Sequence, residues 1–333
     1  MNARSVTLTQ LAEIAGVSAS TVSRSLAGNR AISVATRDKI VALAKEHGFQ
    51  INQAARNLRL KRTGAIGVVL PMGHETEQSM SDPFLMSLLG SLADVLTTRS
   101  YDLLLSRVIP RDGNWLDVIV DSGRVDGVIV IGQSNQVDAI EQVSLRYPNI
   151  VVWGAALPNN KQITVGSDNF KGGQLAAEHL MAHGRSRLTF FGNPHVPEFA
   201  ARLEGFNHAL RSSGAEPATL VPVHLTTEAS YSAIASFLTT NAAPDGIFAA
   251  SDVIAMSALR AIIETGRRVP QDVSVIGFDD ILIANYTSPP LTTLRQDVAK
   301  GAALLVELLF RRMKGESAKS TLLPPKLILR ETA

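Results

Sequence analysis

From Gly64 onward, short apolar runs alternate with amphipathic stretches, and this alternation narrows the possible folds more than any other feature of the chain. The runs are AIGVVL (65–70), DLLL (102–105), DGVIVIG (126–132), NIVVW (149–153), RLTFFG (187–192), DGIFAAS (245–251) and DVSVIGFD (272–279). Helical patterns occupy 84–98, 170–183, 198–212, 228–240, 253–265 and 298–312. Strands that are apolar on both faces must be buried on both faces, so the pattern predicts parallel sheets with helices on either side. Ligands of such sheets sit at the carboxyl ends of the strands. This chain places Gly, Asn, Ser-Asp and Asp-Asp there.

The head of the chain has a different texture. Its first 63 residues hold ten Lys or Arg against three acidic residues, while the remaining 270 hold 22 against 27. The net charge of +2 therefore hides a basic head on a mildly acidic body, the electrostatic footprint of a nucleic-acid-reading module. Within it, LTQLAEIAGVSASTVSRSLAG (8–28) reads as two short helices hinged at Gly16, with Leu8, Leu11, Ala12 and Ala15 on one face. Ala12 is small enough for a second helix to approach, and Gly16 tolerates the left-handed backbone of a tight turn. Ser18 is a good N-cap for the second helix, with Val22 and Leu26 inward. A third helix starts at Ser33 and runs through Ile40, Leu43 and Ala44 to a stop at Gly48. Ser18, Ala19, Ser20, Thr21 and Arg24 fall on the outward face near the start of the second helix, the end that recognition helices point at base edges. Arg24 can donate two parallel hydrogen bonds to guanine O6 and N7. The basic stretch that follows (51–64) reads either as a solvated linker or as a short helix too short to be stable alone.

A length of 333 residues implies two or three domains. There is no cysteine, hence no disulfide and no thiolate chemistry. No apolar run reaches the roughly 20 residues needed to cross a bilayer, and the N-terminal stretch lacks the apolar core of a signal peptide. The expectation is a soluble, cytoplasmic protein. A catalytic set is not apparent: GxxxxGK[ST], a GxGxxG after a strand, and HExxH are all missing. His179 and His183 are four apart on a predicted helix but have no acidic companion, so packing or surface roles are expected. Asp279 and Asp280 end a strand, where neighbours point opposite ways; one carboxylate binding a polar ligand fits better than a shared-proton pair. No catalytic residue, cofactor or metal is expected.

With these motifs together, the chain resembles the LacI family of transcriptional regulators over essentially its whole length. The resemblance rests on TLTQLAEIAGVSASTVSRSLAG, on NQAARNL followed by KRTGAIGVVLP, and on DNFKGGQLAAEHLMAHG (168–184), ARLEGF (201–206), ASDVIAMSALRAI (250–262) and VSVIGFDDILIANYTSPPLTTLRQD (273–297). It implies an all-α helix-turn-helix headpiece (1–50), a hinge helix (51–63) and an α/β periplasmic-binding-protein-like core (64–333) of two doubly wound parallel-sheet lobes. The N-lobe is expected at about 64–165 and 297–322, the C-lobe at about 166–294 and 325–333, with an effector between them.

The same resemblance assigns residues. Arg24 matches the recognition-helix arginine, and Ala19 and Ser20 fall at the two positions that select the operator. Thr9, Ser18, Thr21 and Thr36 fall at further DNA-contact positions. Leu58 matches the hinge leucine that wedges into the minor groove, and Asn52 and Ala55 match other hinge contacts. Ile51 stands where the family usually has proline, which weakens the expected rigid entry to the hinge. In the effector pocket Arg202 matches the ligand-binding arginine and Asp279 the carboxylate that holds sugar hydroxyls or a ring nitrogen. Ser251 and Asp252 fall at a polar strand end facing the cleft, and Gln133 near it. Phe84 and Trp153 are open between core packing and stacking on a ligand.

The implied function is a repressor of carbohydrate-use genes, released from a pseudo-palindromic DNA operator by a sugar or glycoside. A nucleobase- or sugar-phosphate-responsive regulator of co-repressor type is the alternative; a solute-binding protein or an α/β enzyme fits less well. The chain stops shortly after its last strand, without the C-terminal heptad helix of tetrameric members, so a homodimer is expected.

Overall fold

The structure is a computed structural model that describes residues 6–26, 28–49, 62–73, 79–157, 161–240 and 244–333. Asn52, Ala55 and Leu58 lie outside the described residues. The chain falls into two compact units that divide between Thr63 and Gly64.

The first unit carries α1 (Leu8–Ala15), α2 (Ala19–Leu26) and α3 (Val34–Glu46). Each start is fixed by a side chain that accepts from an otherwise orphaned backbone N–H. Thr7 and Gln10 form a reciprocal capping box on α1. The Ser18 hydroxyl accepts from the Thr21 N–H at 3.2 Å, and Ser33 accepts from the Thr36 N–H at 3.2 Å. Gly16 ends α1 with φ +70°, the left-handed turn expected from its sequence position. Leu11, Ala12, Ala15, Val22, Ile40 and Ala44 close a small core.

The second unit holds two six-stranded sheets. The first contains β1 (Ala65–Pro71), β2 (Asp102–Val108), β3 (Gly127–Ile131), β4 (Ile150–Trp153) and β5 (Thr164–Ser167), with α4 (Pro83–Thr98), α5 (Trp115–Val120) and α6 (Val137–Arg146) between them. After β5 the chain crosses to the second sheet. There α7 (Asn169–Ala182), β6 (Leu188–Phe191), α8 (Pro197–Ser212), β7 (Thr219–Val221), α9 (Thr227–Thr240), β8 (Gly246–Ala249), α10 (Asp252–Glu264), β9 (Ser274–Asp279) and β10 (Thr292–Arg295) follow. It returns for α11 (Val298–Met313) and β11 (Thr321–Leu323), then crosses a third time to β12 (Lys326–Ile328). The strand orders are β11-β5-β4-β3-β1-β2 and β12-β10-β9-β8-β6-β7. Pairing is parallel except between β10 and β12.

The period of two along each strand sorts side chains onto the two faces of a sheet. In the first sheet Ile66, Val68, Leu70, Ile129, Ile131, Val151 and Trp153 face a cluster shared with α4 and α11. The alternate residues Val69, Val128, Val130, Ile150 and Val152 face Leu116, Ile140 and Val143 on α5 and α6. Both faces are therefore buried, as apolar runs without polar alternation require.

In the second sheet, α7 and α8 meet backbone to backbone. A β-carbon on Gly173 would stand 2.0 Å from the Arg202 carbonyl oxygen, and one on Gly205 would stand 1.9 Å from that of Phe170. Glycine inside a helix costs about 1 kcal/mol relative to alanine, so these glycines serve close approach rather than helix stability. Gly205→Ala is expected to destabilise the protein by about 3 kcal/mol, the upper end of overpacking costs. Thermal or denaturant unfolding followed by circular dichroism checks this; a variant as stable as the parent would mean that the helices do not meet at Gly205.

Candidate functional site

The headpiece presents one polar face. Ser20 and Arg24, four residues apart on α2, are both exposed, while Val22 and Ser25 on the other side are buried. Ser18 and Thr9 are exposed as well, and Thr21 is half-buried. The hydroxyls form a local network: Ser18 Oγ lies 2.9 Å from both Ser20 Oγ and Thr21 Oγ1, and Thr36 Oγ1 lies 2.8 Å from Ser33 Oγ. Ala19 departs from the expected outward position. It is half-buried and packs against the headpiece core, because it opens α2 immediately after the turn.

In the second unit, the carboxyl ends of the strands of both sheets open onto one cleft cavity. It contains about 860 Å³ of atom-free space, its open mouth included. One wall is apolar. Phe84, near the start of α4, and Trp153, the last residue of β4, both line the cavity with ring centroids 6.0 Å apart and planes at 45°. Trp153 is wedged against Gly301, where a β-carbon would stand 2.2 Å from the indole. Leu70 and Ile131, from the same lobe, also line the cavity.

The opposite wall is charged. Arg202, on α8, is 4% exposed and its guanidinium carbon sits 3.5 Å from the centroid of the Phe278 ring. Its Nε donates to Asn169 Oδ1 at 2.8 Å and its Nη1 donates to the Ala250 carbonyl. Burial lowers its pKa to about 10, while nearby Asp279, Glu198 and Asp252 work in the opposite sense. The close approach of α7 and α8, with Gly173 against the Arg202 carbonyl and Gly205 against that of Phe170, accompanies the Asn169–Arg202 hydrogen bond between the same two helices.

Asp279 ends β9 with φ +123°, and Asp280 follows with φ +56°. These left-handed conformations are costly for residues with a β-carbon. Their effect is to turn the two carboxylates to different partners. Asp280 accepts from Arg295 Nε and Arg330 Nη2, both at 2.5 Å. Asp279 lines the cavity and accepts from Gln296 Nε2 at 2.6 Å, while Gln296 Oε1 accepts from Ser167 Oγ at 2.6 Å. Burial pushes the Asp279 pKa up to about 7; Arg202 opposes that shift and Asp82 adds to it. Burial likewise raises Glu198.

Of the residues expected in the pocket, Phe84, Trp153, Arg202, Ser251 and Asp279 line it. Gln133 and Asp252 do not. The Gln133 amide is fully engaged by the main chain of Ala155, donating to its carbonyl at 3.0 Å and accepting from its N–H at 2.9 Å. Asp252 is buried behind the cleft, where its carboxylate accepts from Thr293 Oγ1 at 2.5 Å and from the Ile281 N–H at 2.9 Å. A β-carbon on Gly277 would stand 2.2 Å from that carboxylate, so the glycine makes room for it. Asp252 thus ties β9, β10 and α10 together instead of facing a ligand. His179 and His183 stack at 4.2 Å between centroids, with no group of three potential metal ligands among the described residues.

Sequence reasoning missed Asp82, Asn169, Glu198 and Gln296, all of which line the cavity. Two of them left a signal. Glu198 lies one helical turn before Arg202, and Asp82 precedes Pro83 as an N-cap, accepting from the N–H groups of Phe84 and Leu85 at 3.0 and 3.1 Å.

The raised pKa of Asp279 has a consequence for stability. Below pH 3.8 the carboxyl is protonated in both folded and unfolded chains. As pH rises, the unfolded chain ionises first, so stability is lost progressively between about 3.8 and about 7 and the full penalty stands above that. Asp279→Asn is therefore expected to melt above the parent at pH 8, with the advantage vanishing at pH 3. An advantage independent of pH would contradict the assignment.

Comparison with known proteins agrees with both halves of this geometry. Residues 7–52 match the bacterial regulatory proteins of the lacI family, and residues 177–333 match the periplasmic binding protein-like domain. The chain is 30% identical to the transcriptional regulator CelR of Thermobifida fusca, covering 98% of this chain and 96% of that one. It is 29% identical to the ribose operon repressor of Haemophilus influenzae, covering 98% of each. Among solved structures, the lac repressor dimer bound to operator and the anti-inducer ONPF superposes with a TM-score of 0.82 at 25% identity, covering 99% of each chain.

Proposed function

The chain belongs to the LacI family of DNA-binding transcriptional regulators, and on that premise we propose that it is a repressor released from its operator by a neutral sugar or glycoside bound in the cleft. The observation that carries the effector class is the cavity's two unlike walls. Phe84 and Trp153 offer flat apolar surface to the C–H face of a sugar ring, while the guanidinium N–H groups of Arg202 not taken by Asn169 and Ala250 offer donors and Asp279 offers an acceptor to vicinal hydroxyls. A ribose operon repressor among the relatives and a solved CelR–cellobiose complex among the structural neighbours support the same class. The Phe84–Trp153 pair also favours a second reading, a planar nucleobase acting as co-repressor.

On the DNA side, Thr9, Ser18, Ser20, Thr21, Arg24 and Thr36 are the proposed headpiece contacts, with Asn52, Ala55 and Leu58 from the hinge. Ala19 adds little reach. The proposed working form is a homodimer in the cytoplasm. Leu282 and Tyr286, on the 3-10 turn after Asp280, are 76% and 77% exposed, which supports an apolar face for a second copy. A tetramer by light scattering would contradict the dimer.

The test of the effector class is a thermal-shift screen of the full chain against sugars, glycosides and nucleobases. A ligand at 100 times its Kd adds about 2.7 kcal/mol. Stabilisation by a sugar or glycoside is the expected result, stabilisation only by a nucleobase selects the second reading, and no response to either class contradicts both.

A further inference from the structure

Three of the described residues that line the cavity are acidic, Asp82, Glu198 and Asp279, and only Arg202 is basic. Two of the guanidinium's nitrogens already donate within the protein, and its face is covered by Phe278. Carboxylates accept hydrogen bonds and do not donate them when ionised. Each acid that is ionised asks the occupant for O–H or N–H donors, and because burial already raises Asp279 and Glu198, a further negative charge could be seated beside them only with these acids held protonated, at a cost in affinity. The acids come from both lobes: Asp82 caps α4 of the first sheet's lobe, Glu198 lies in the first turn of α8, and Asp279 ends β9 of the other lobe. All three line the same cavity between the lobes.

We propose that Asp82 and Glu198 act with Asp279 as a charge filter, so that this cleft admits neutral or amine-bearing ligands and rejects phosphorylated or carboxylated ones. The inference rests on the cleft being the effector site, but not on the effector being a sugar. It removes sugar phosphates and nucleotides from the candidates while leaving free sugars, amino sugars and free nucleobases. Proximity of the acids is supported by Asp82 raising the pKa of Asp279, and by Asp279 and Glu198 both acting on Arg202.

The test uses the full chain in two measurements. First, Trp153 fluorescence is titrated with matched pairs: D-ribose and D-ribose 5-phosphate, D-glucose, D-glucosamine and D-glucose 6-phosphate, and hypoxanthine and inosine 5′-monophosphate. For any set with a binding member, the phosphorylated form should bind roughly 100-fold more weakly or worse, as expected for a dianion brought beside acidic groups in a partly desolvated site. In the double variant Asp82→Asn, Glu198→Gln, that gap should shrink at least tenfold. Asparagine keeps the N-cap of α4 and glutamine keeps the shape of Glu198, so the variant should retain the parent's circular dichroism. A phosphorylated member that binds as tightly as its neutral partner overturns the filter; binding by the nucleobase alone overturns the sugar reading and leaves the filter standing. Second, without any ligand, the Asp279 carboxyl carbon is followed by NMR against pH. Its midpoint should fall towards the ordinary carboxylate range in Asp82→Asn, and an unchanged midpoint would overturn the part assigned to Asp82.

Discussion

Arg24→Ala is expected to lower affinity for the selected operator by about 30-fold or more while leaving affinity for random duplex DNA almost unchanged. Ser20 and Arg24 share the exposed side of α2, and Val22 and Ser25 anchor the opposite side to the headpiece core. Of the residues on that face, only Arg24 has a side chain long enough, with a planar fork, to take guanine O6 and N7 together. Such a contact is worth about 1–3 kcal/mol of discrimination. A dimer on a pseudo-palindromic site makes it twice, so the loss per complex is about 2–6 kcal/mol. Non-specific binding comes from phosphate neutralisation, to which one of the headpiece's several cations contributes little. Fluorescence anisotropy on operator and scrambled duplexes, at two or more salt concentrations, separates the two terms. Equal losses on both duplexes would remove Arg24 from base readout.

Arg202→Ala is expected to abolish the effector response and leave operator binding by the unliganded protein intact. Two costs follow from one substitution. The ligand loses its guanidinium donors, and the protein is left with Asn169, the Ala250 carbonyl and a group of carboxylates that Arg202 had balanced. Removing one partner of a buried charged network costs about 3–5 kcal/mol, so the variant should also melt well below the parent. Arg202→Lys separates the two effects: it keeps the charge and part of the stability, but loses the planar fork and should restore little of the response. Titration with the sugar that stabilises the parent, read by Trp153 fluorescence and by release of labelled operator, checks both variants. A variant released at the parent's sugar concentration would remove Arg202 from the pocket.

Much of this was legible in the chain, and the parts that were not share a physical cause. Runs such as DGVIVIG and DVSVIGFD announced themselves because strands covered on both faces are apolar throughout. By contrast β5 and β10, TVGS and TTLR, are buried strands built from hydroxyl-bearing residues. Their polar atoms are satisfied by distant partners, as where the Thr164 N–H donates to Ser320 Oγ at 3.0 Å and the Thr292 N–H to Thr332 Oγ1 at 2.8 Å. Local pattern carries no trace of partners so far away in sequence. The same limit shaped the site. Arg202, Asp279 and Ser251 were found from motif position, and Phe84 and Trp153 from strand and helix ends. Gln133 and Asp252 stood at equally suggestive positions, but backbone groups of Ala155 and Ile281 hold them out of the cavity wall. Glu198 had a readable signal in its spacing from Arg202, whereas Gln296 joins the site only because the chain returns between lobes there. In the headpiece, the Ser18 and Ser33 caps and the Gly16 turn were visible, whereas the Thr7–Gln10 capping box went unread, and the half-burial of Ala19 depends on how α2 docks on its neighbours.

The central claim is that a donor-rich small molecule in the cleft and a specific operator on the headpiece are linked, each weakening the other. The most direct measurement starts from an operator selected by the full chain out of random duplexes. Its affinity is then determined by fluorescence anisotropy with and without a saturating neutral sugar taken from the thermal-shift screen. The account predicts a clear preference for the selected duplex over random DNA, weakened about tenfold or more by the sugar, with the sugar's own affinity reduced by the same factor on operator-bound protein. Operator affinity that stays the same when the cleft is filled would contradict it.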